Sequence, residues 1–301
     1  VPDIASKNLR DMAQIFSTIK RIIKDENITI IHSHHRMAAL YAELVSKDSI
    51  IKIANAHNTF NDKKKLTQIA YKHTQLIAVG EMVKKNLVNY FKIPEQQVVV
   101  IHNAIKPFEG QYQKIEHLEQ ERANGNILIG NVGRLSEQKG MEYFIDAAEI
   151  TIKKHSNVRF FIVGDGELKD ELINRVKEKH LENLIQFLGY RSDIQNTMKQ
   201  FDFVVLSSLW EGLPLTPIEA FSVGKTVIGT SVDGTLEIIE DKENGLLVNA
   251  KDVRQLSDAM NILIEDENLR KELEVNAKKQ YIEKFSFDKL AKEYRDYYGR
   301  L

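Results

Sequence analysis

The chain has 301 residues, 43% of them hydrophobic and 28% charged, with 15 glycines and 5 prolines, which excludes a disordered or collagen-like protein and predicts two domains. It contains no cysteine, so disulfides, thiolate metal sites and a cysteine nucleophile are excluded. The net charge of −1 hides an asymmetry: up to Gly110 there are 16 basic and 10 acidic residues (+6), and the remainder has 26 and 33 (−7).

No run approaches the roughly 18 apolar residues of a spanning helix, so a soluble, cytoplasmic protein is expected. A basic first part suits an anionic membrane face or a phosphorylated substrate. Nucleic acid is not expected as a partner, because no aromatic platform accompanies the run Lys63-Lys64-Lys65.

In chain order, short Ile- and Val-rich runs alternate with amphipathic segments, the pattern of βα units around a parallel sheet. Helices are predicted at Asn8–Lys24, Met37–Ser46 and Met82–Phe91, and strands at Thr29–His32, Ile51–Ala56, Leu76–Val79 and Val98–Ile101. With only four strands and an opening on Val1 in mid-pattern, this part reads as a doubly wound domain lacking its first strands. Residues 106–126 are polar and Gln/Glu-rich and are expected to form a linker.

The alternation restarts with strands Ile127–Val132, Val158–Val163, Ile185–Leu188, Phe203–Leu206, Thr226–Gly229 and Leu246–Val248. Between them, helices are predicted at Met141–Lys154, Leu168–Lys179, Asp193–Lys199 and Pro217–Val223. Six strands with helical crossovers make a complete doubly wound domain. The tail is helical over Val253–Leu263, Glu267–Glu283 and Phe287–Tyr298. The boundaries expected are 1–110, a linker 111–126, 127–283, and a last helix in 284–301 packing back on the first domain.

Such domains bind ligands at the carboxyl ends of their strands. Two nucleotide motifs fail there. After Gly164-Asp165-Gly166, Lys169 occupies the third glycine position of a dinucleotide fingerprint, and Glu219 stands where a P-loop ending in Gly224-Lys225-Thr226 needs its first glycine.

The stretch from Gly133 to Gly140 leaves a strand and opens a helix. Arg134 and Lys139 place two cations where a diphosphate would meet a helix N-terminus. Downstream, Thr216, Pro217 and Glu219 spell a capping box with proline at the first helical position. That leaves Glu211 over, a carboxylate on a Gly/Pro-bounded loop and an acceptor for sugar or ribose hydroxyls.

Taken together, Gly-Arg-Leu-x-x-x-Lys-Gly at 133–140, Gly-Asp-Gly at 164–166, Phe-Leu-Gly-Tyr at 187–190, the pair Glu211 and Glu219, Glu237 and Asn244-Gly245-Leu246-Leu247-Val248 resemble the retaining GT-B glycosyltransferases of family GT4. The resemblance implies an α/β fold of two Rossmann-like domains facing a cleft, the first incomplete. It implies that Arg134 and Lys139 hold the diphosphate of a nucleotide-sugar donor and that Glu219 accepts from the ribose. Glu211 and the amides of Leu213, Leu215 and Thr216 would contact the sugar and phosphate, the base would lie between Gly164 and the loop at Tyr190-Arg191, and Gly133 would be a further substrate-binding residue.

In the first part the family pattern runs through Ile30–His34, Ala56-His57-Asn58 and Ile101–Ala104, with His57 as the residue near the donor sugar. Ala104 and Gly80 stand where the family usually has Gly and Ser. The expected activity is transfer of a sugar from a UDP-, GDP- or ADP-sugar to a glycan or glycolipid acceptor, with retention, as in surface polysaccharide assembly. Asp-x-Asp is absent from the sequence, so neither a metal nor another cofactor is expected. A GT-B nucleotide-sugar epimerase and a non-catalytic nucleotide-sugar-binding fragment are the alternatives.

Overall fold

The computed structural model describes residues 3–4, 8–45 and 49–301; Val1 and Ser46, on which two of the expectations fall, lie outside them. The chain divides into two units, one of Val1–His102 with Lys292–Leu301 and one of Asn103–Ala291.

In unit 1, strands β1 (Ile30–Ser33), β2 (Ile51–Ala56), β3 (Gln75–Ala78) and β4 (Val98–Val100) form a wholly parallel sheet in the sequential order β1-β2-β3-β4. Its helices are α1 (Leu9–Asp25), α2 (Arg36–Val45), α3 (Lys64–Ala70) and α4 (Glu81–Asn89). Asn8 starts α1 by accepting from the Arg10 N–H at 3.0 Å, the usual job of an N-cap asparagine. Leu76, Ile77, Ala78 and Val79 are fully buried, as expected for a parallel strand covered on both faces. Helix α3 opens inside the run of lysines, after a left-handed Lys63 (φ +47), and no periodicity announces it.

Unit 2 has strands β5 (Ile127–Val132), β6 (Val158–Val163), β7 (Ile185–Gly189), β8 (Phe203–Leu206), β9 (Val227–Thr230) and β10 (Gly245–Val248), again all parallel. Their order, β7-β6-β5-β8-β9-β10, is that of a dinucleotide-binding sheet, with its switch point between β5 and β8. The helices are α5 (Glu116–Ala123), α6 (Met141–Lys154), α7 (Lys169–Glu178), α8 (Ile194–Met198), α9 (Leu215–Ser222), α10 (Val253–Glu265) and α11 (Glu267–Gln280). Phe144, Phe160, Phe203, Met260 and Leu263 form the middle of the core on one face of this sheet.

The unit boundary falls at His102/Asn103, not after a linker at 111–126. Residues 106–126 carry α5, whose Leu118 is buried, and they are fastened to the rest of unit 2. Gln113 and Ile115 donate their amides to Asn196 Oδ1 and Gln200 Oε1 at 3.0 and 2.8 Å. A polar segment held by side-chain amides rather than by an apolar stripe leaves no period to read. The helix expected over Glu267–Glu283 ends at Gln280 in a π-helical turn, Tyr281–Phe285, where Tyr281 Oη donates to the Ile105 carbonyl at 3.0 Å. The last helix, α12 (Phe287–Tyr298), belongs to unit 1 from Lys292 onward.

Candidate functional site

At the switch point of unit 2 the loop after β5 lies against the loop after β6. Gly164 has φ +145, and a Cβ there would stand 1.9 Å from the Gly133 carbonyl oxygen; only glycine permits that approach. A pairing shift between Ile162 and Val163 carries the chain into it, and Gly164 N–H donates to the Gly189 carbonyl at 2.9 Å. Gly140, at φ +54 and 2.4 Å from the Ser207 carbonyl by the same measure, seats the start of α6 on the end of β8. The Gly-Asp-Gly stretch thus serves close backbone packing of three loops.

These loops enclose a cavity of about 450 Å³ lined by Gly133, Arg134, Gly164, Tyr190, Arg191 and Glu219, among others. Glu219 is half-buried, and no hydrogen bond within the described residues reaches its carboxylate. Burial pushes the carboxyl up to about 7 against the opposing pull of Lys139.

The expected capping box is not formed. Helix α9 starts at Leu215 after Pro214, with no side chain capping it. Thr216 lies inside the helix, and its hydroxyl donates to the Val132 carbonyl at 3.3 Å, tying α9 to β5. The fixed φ of Pro214 starts the helix earlier than the motif suggests, which frees Glu219 to face the cavity. The first N–H groups of α9, at Leu215 and Thr216, remain for an acceptor from outside, whereas Leu213 is buried beside them and Leu215 is 44% exposed.

Lys139 and Glu211 sit beside this cavity as an ion pair, Nζ to Oε1 at 2.5 Å, with side chains 16% and 6% exposed. Ser208 Oγ donates to the same oxygen at 2.6 Å, and Gln138 Nε2 approaches Oε2 at 3.4 Å. Glu211, expected as an acceptor on a loop, is therefore a fixed and buried one. Two of the three ammonium protons of Lys139 stay available.

Arg134 is different. It is 73% exposed and pairs with Glu167 at 3.1 Å, an exposed pair worth at most about 1 kcal/mol. Arg191 is clamped by Asp193 at 2.9 and 2.8 Å and by Thr197, so it lines the cavity as a fixed wall, and Tyr190 is 76% exposed. Sequence reasoning missed Ser208 and Gln138, which position Glu211, and Glu167, which holds Arg134. The Ser208–Glu211 spacing of three residues is the signal that was present.

In unit 1, His57 follows β2 and borders a cavity of about 540 Å³ with His34, Arg36, Phe60 and Lys63. Burial, with the charges of His34 and His32, holds His57 below its ordinary value. The rings of His32 and His34 stack at 4.6 Å, and those of His34 and His57 at 5.6 Å, so they are layered rather than converging on one point. His32 is fixed at both nitrogens, Nε2 to Asn55 Oδ1 at 2.6 Å and Nδ1 to Tyr298 Oη at 2.5 Å. Asn55 donates onward to Tyr294 Oη at 2.6 Å. This chain fastens residues of α12 to the ends of β1 and β2, and no sequence signal marks it.

A family model of glycosyl transferases group 1 matches residues 113–280, and one of glycosyltransferase family 4 matches residues 1–107. The uncharacterized glycosyltransferase MJ1607 of Methanocaldococcus jannaschii is 32% identical over 234 residues, covering 74% of this chain and 59% of that protein. The poly(ribitol-phosphate) alpha-N-acetylglucosaminyltransferase of Staphylococcus aureus is 26% identical over 92% of this chain and 56% of its own. The UDP-Gal:alpha-D-GlcNAc-diphosphoundecaprenol alpha-1,3-galactosyltransferase of Escherichia coli is 26% identical over 96% and 80%. The chain thus spans less than three fifths of the length of the first two of these relatives.

The crystal structure of Anabaena Alr3699/HepE in complex with UDP superposes with a TM-score of 0.86 at 20% identity, over 97% of this chain and 83% of that one. Staphylococcus aureus TarM gives 0.78 at 22%, over 93% and 57%. These likenesses establish the GT-B type of α/β fold. No helix among the described residues is long and apolar enough to cross a membrane. With the first model covering more than half of its residues, the chain belongs to the glycosyl transferases group 1 family.

Proposed function

We propose that the protein transfers a sugar from a nucleoside diphosphate sugar to a hydroxyl of a glycan or glycolipid acceptor, with retention of configuration and without a metal ion. The observation that carries this reading is the cavity at the β5/β8 switch point, where Glu219 stands unpartnered beside an uncapped helix and a half-buried lysine. Each feature matches one part of such a donor. The Glu219 carboxylate accepts from the ribose hydroxyls. The amides of Leu215 and Thr216 and the Lys139 ammonium meet the phosphates.

Arg134 completes the diphosphate site by leaving Glu167. Giving up an exposed pair costs at most about 1 kcal/mol, and a hydrogen bond to a charged phosphate returns about 1.5–3 kcal/mol. Charge developing on the leaving diphosphate is thereby met by two cations and a helix dipole. Glu211, locked by Ser208 and Lys139, holds the ammonium in place and offers its second oxygen to a sugar hydroxyl.

With Glu219 engaged by the ribose, we assign a front-face displacement in which the bond from the sugar to the diphosphate breaks as the acceptor oxygen bonds to the same carbon, and a departing phosphate oxygen takes the acceptor proton. In unit 1, His57 meets a sugar hydroxyl through a neutral imidazole. Uracil is the base we favour, because HepE binds UDP and UDP-glucose in its solved complexes and the Escherichia coli relative uses UDP-Gal by name. Peripheral contact with an anionic membrane is proposed for the basic first part on its charge.

The test is calorimetric titration of UDP, GDP and ADP in the presence of EDTA. UDP is expected to bind, and Arg134→Ala to weaken it by about 1.5–3 kcal/mol. Undiminished binding by the variant removes the diphosphate assignment, and binding of no nucleotide removes the transferase reading.

A further inference from the structure

The cavity of unit 1 has its own chemistry. Its walls place the cations Arg36 and Lys63 and the imidazoles of His34 and His57 beside apolar surface from Met37 and Phe60, and no carboxylate is among the described residues that line it. Arg36, with a side chain only 14% exposed, is held in a fixed pose. Its Nη1 donates to Asp62 and Thr67 Oγ1 at 3.0 and 3.1 Å, and its guanidinium lies 5.1 Å from the Phe60 ring centre. All of its described contacts to acceptors use that one nitrogen. Nη2 and Nε keep their protons for a further acceptor.

Asp62, the one acid bonded to Arg36, is 57% exposed and is free to turn to water when a stronger anion arrives. Lys63 is exposed and has no ion-pair partner among the described residues. Its left-handed backbone (φ +47) sets it as the residue entering α3, and Thr67 Oγ1 donates to its carbonyl at 3.2 Å, so Arg36 and Lys63 are tied to one another through Thr67. A half-buried, planar, half-used guanidinium beside a lysine is an arrangement suited to phosphate oxygens.

We propose that this cavity is a second anion site, built by Arg36 and Lys63 to hold a phosphate or diphosphate carried by the acceptor. The proposal rests on the transferase reading for the word acceptor, but the site itself does not. The apolar wall accommodates the group to which that phosphate is attached.

The experiment uses the full chain saturated with UDP, titrated calorimetrically with inorganic pyrophosphate, geranyl diphosphate and, as control, geraniol. Both diphosphates are expected to bind the UDP-saturated protein, and geraniol to bind far more weakly. Lys63→Gln, on an exposed side chain, and Arg36→Gln are each expected to weaken diphosphate binding about 10- to 100-fold, the effect of losing a hydrogen bond to a charged group, with UDP affinity unchanged. Arg36→Lys restores part of the loss. Tighter binding of geranyl diphosphate than of pyrophosphate marks a lipid-linked acceptor, and equal binding a water-soluble phosphorylated one; either supports the site.

Absence of diphosphate binding to the UDP-saturated protein, or undiminished binding by both glutamine variants, overturns the proposal. Failure of UDP to bind, with pyrophosphate binding still lost in Lys63→Gln, overturns the donor reading and leaves this site standing.

Discussion

The two units are built from the same βα alternation and differ in strand order. Unit 1 lays its four described strands down in sequence, whereas unit 2 reverses direction between β5 and β8. A reversal sends neighbouring loops apart to opposite faces and opens a crevice at the strand ends; Glu219 faces that crevice, with the Lys139–Glu211 pair beside it. Unit 1 has no such reversal among its described strands, and its cavity is walled instead by a half-buried arginine and the stacked rings of His34 and His57. One fold pattern thus yields an acid-bearing site and a cation-bearing one, according to strand order and to which side chains stand at the strand ends.

The sharpest way to break this contrast is to unpair the switch-point charges. Glu211→Ala leaves Lys139 without its carboxylate and is expected to cost about 3–5 kcal/mol, the loss seen when one partner of a buried pair is removed. Urea denaturation measures it. A loss below about 1 kcal/mol would mean that the pair is screened like a surface one and that the crevice is not a dry site.

Next in size is the backbone contact that closes the crevice. Gly164→Ala forces a Cβ against the Gly133 carbonyl oxygen at a φ that alanine avoids, a cost of about 3 kcal/mol, with loss of UDP binding. A variant of wild-type stability would refute the close approach on which the cavity depends.

Glu219 gives the pH dependence. Its folded value of about 7 lies above the ordinary value near 4.5, so the folded chain binds an extra proton between those two pH values, and stability falls as pH rises through that window. Glu219→Gln removes the fall. Its stability relative to wild type is expected to be near zero at pH 4 and to grow to at most about 3 kcal/mol in favour of the variant by pH 8. Parallel stability curves for the two proteins would show that the carboxylate is as well solvated as a surface glutamate.

The smallest effect tests unit 1. Tyr298→Phe removes the hydroxyl from His32 Nδ1 and is expected to cost about 1 kcal/mol, one hydrogen bond, with UDP affinity unaltered. Thermal unfolding followed by the tyrosine signal reads it. No change would show that the histidine stack is held by packing alone.

Much of the fold was legible because its strands are buried on both faces and read as continuous apolar runs. β2, β5, β6 and β8 begin and end where the sequence places them. α3 and α5 were not legible, since one opens in a lysine run and the other buries a single leucine. In the site, the pairing of Arg134 and Lys139 by spacing was misleading about their states. Five positions apart on one loop, they end with 73% and 16% of their side chains exposed and with different acids. Glu219 was the reverse case, a residue that local pattern assigned to a cap and tertiary packing left facing a cavity.

By itself, the sequence determined the alternation of buried strands and amphipathic helices and the small residues at the strand ends, because hydrophobic period and glycine freedom are local properties. Only the tertiary structure decided strand order, the Lys139–Glu211 lock, the unpartnered state of Glu219 and the joint setting of Arg36 and Lys63. Those depend on which loops meet at a strand end and which charges lose their water there, and neither burial nor partnership is encoded in spacing along the chain.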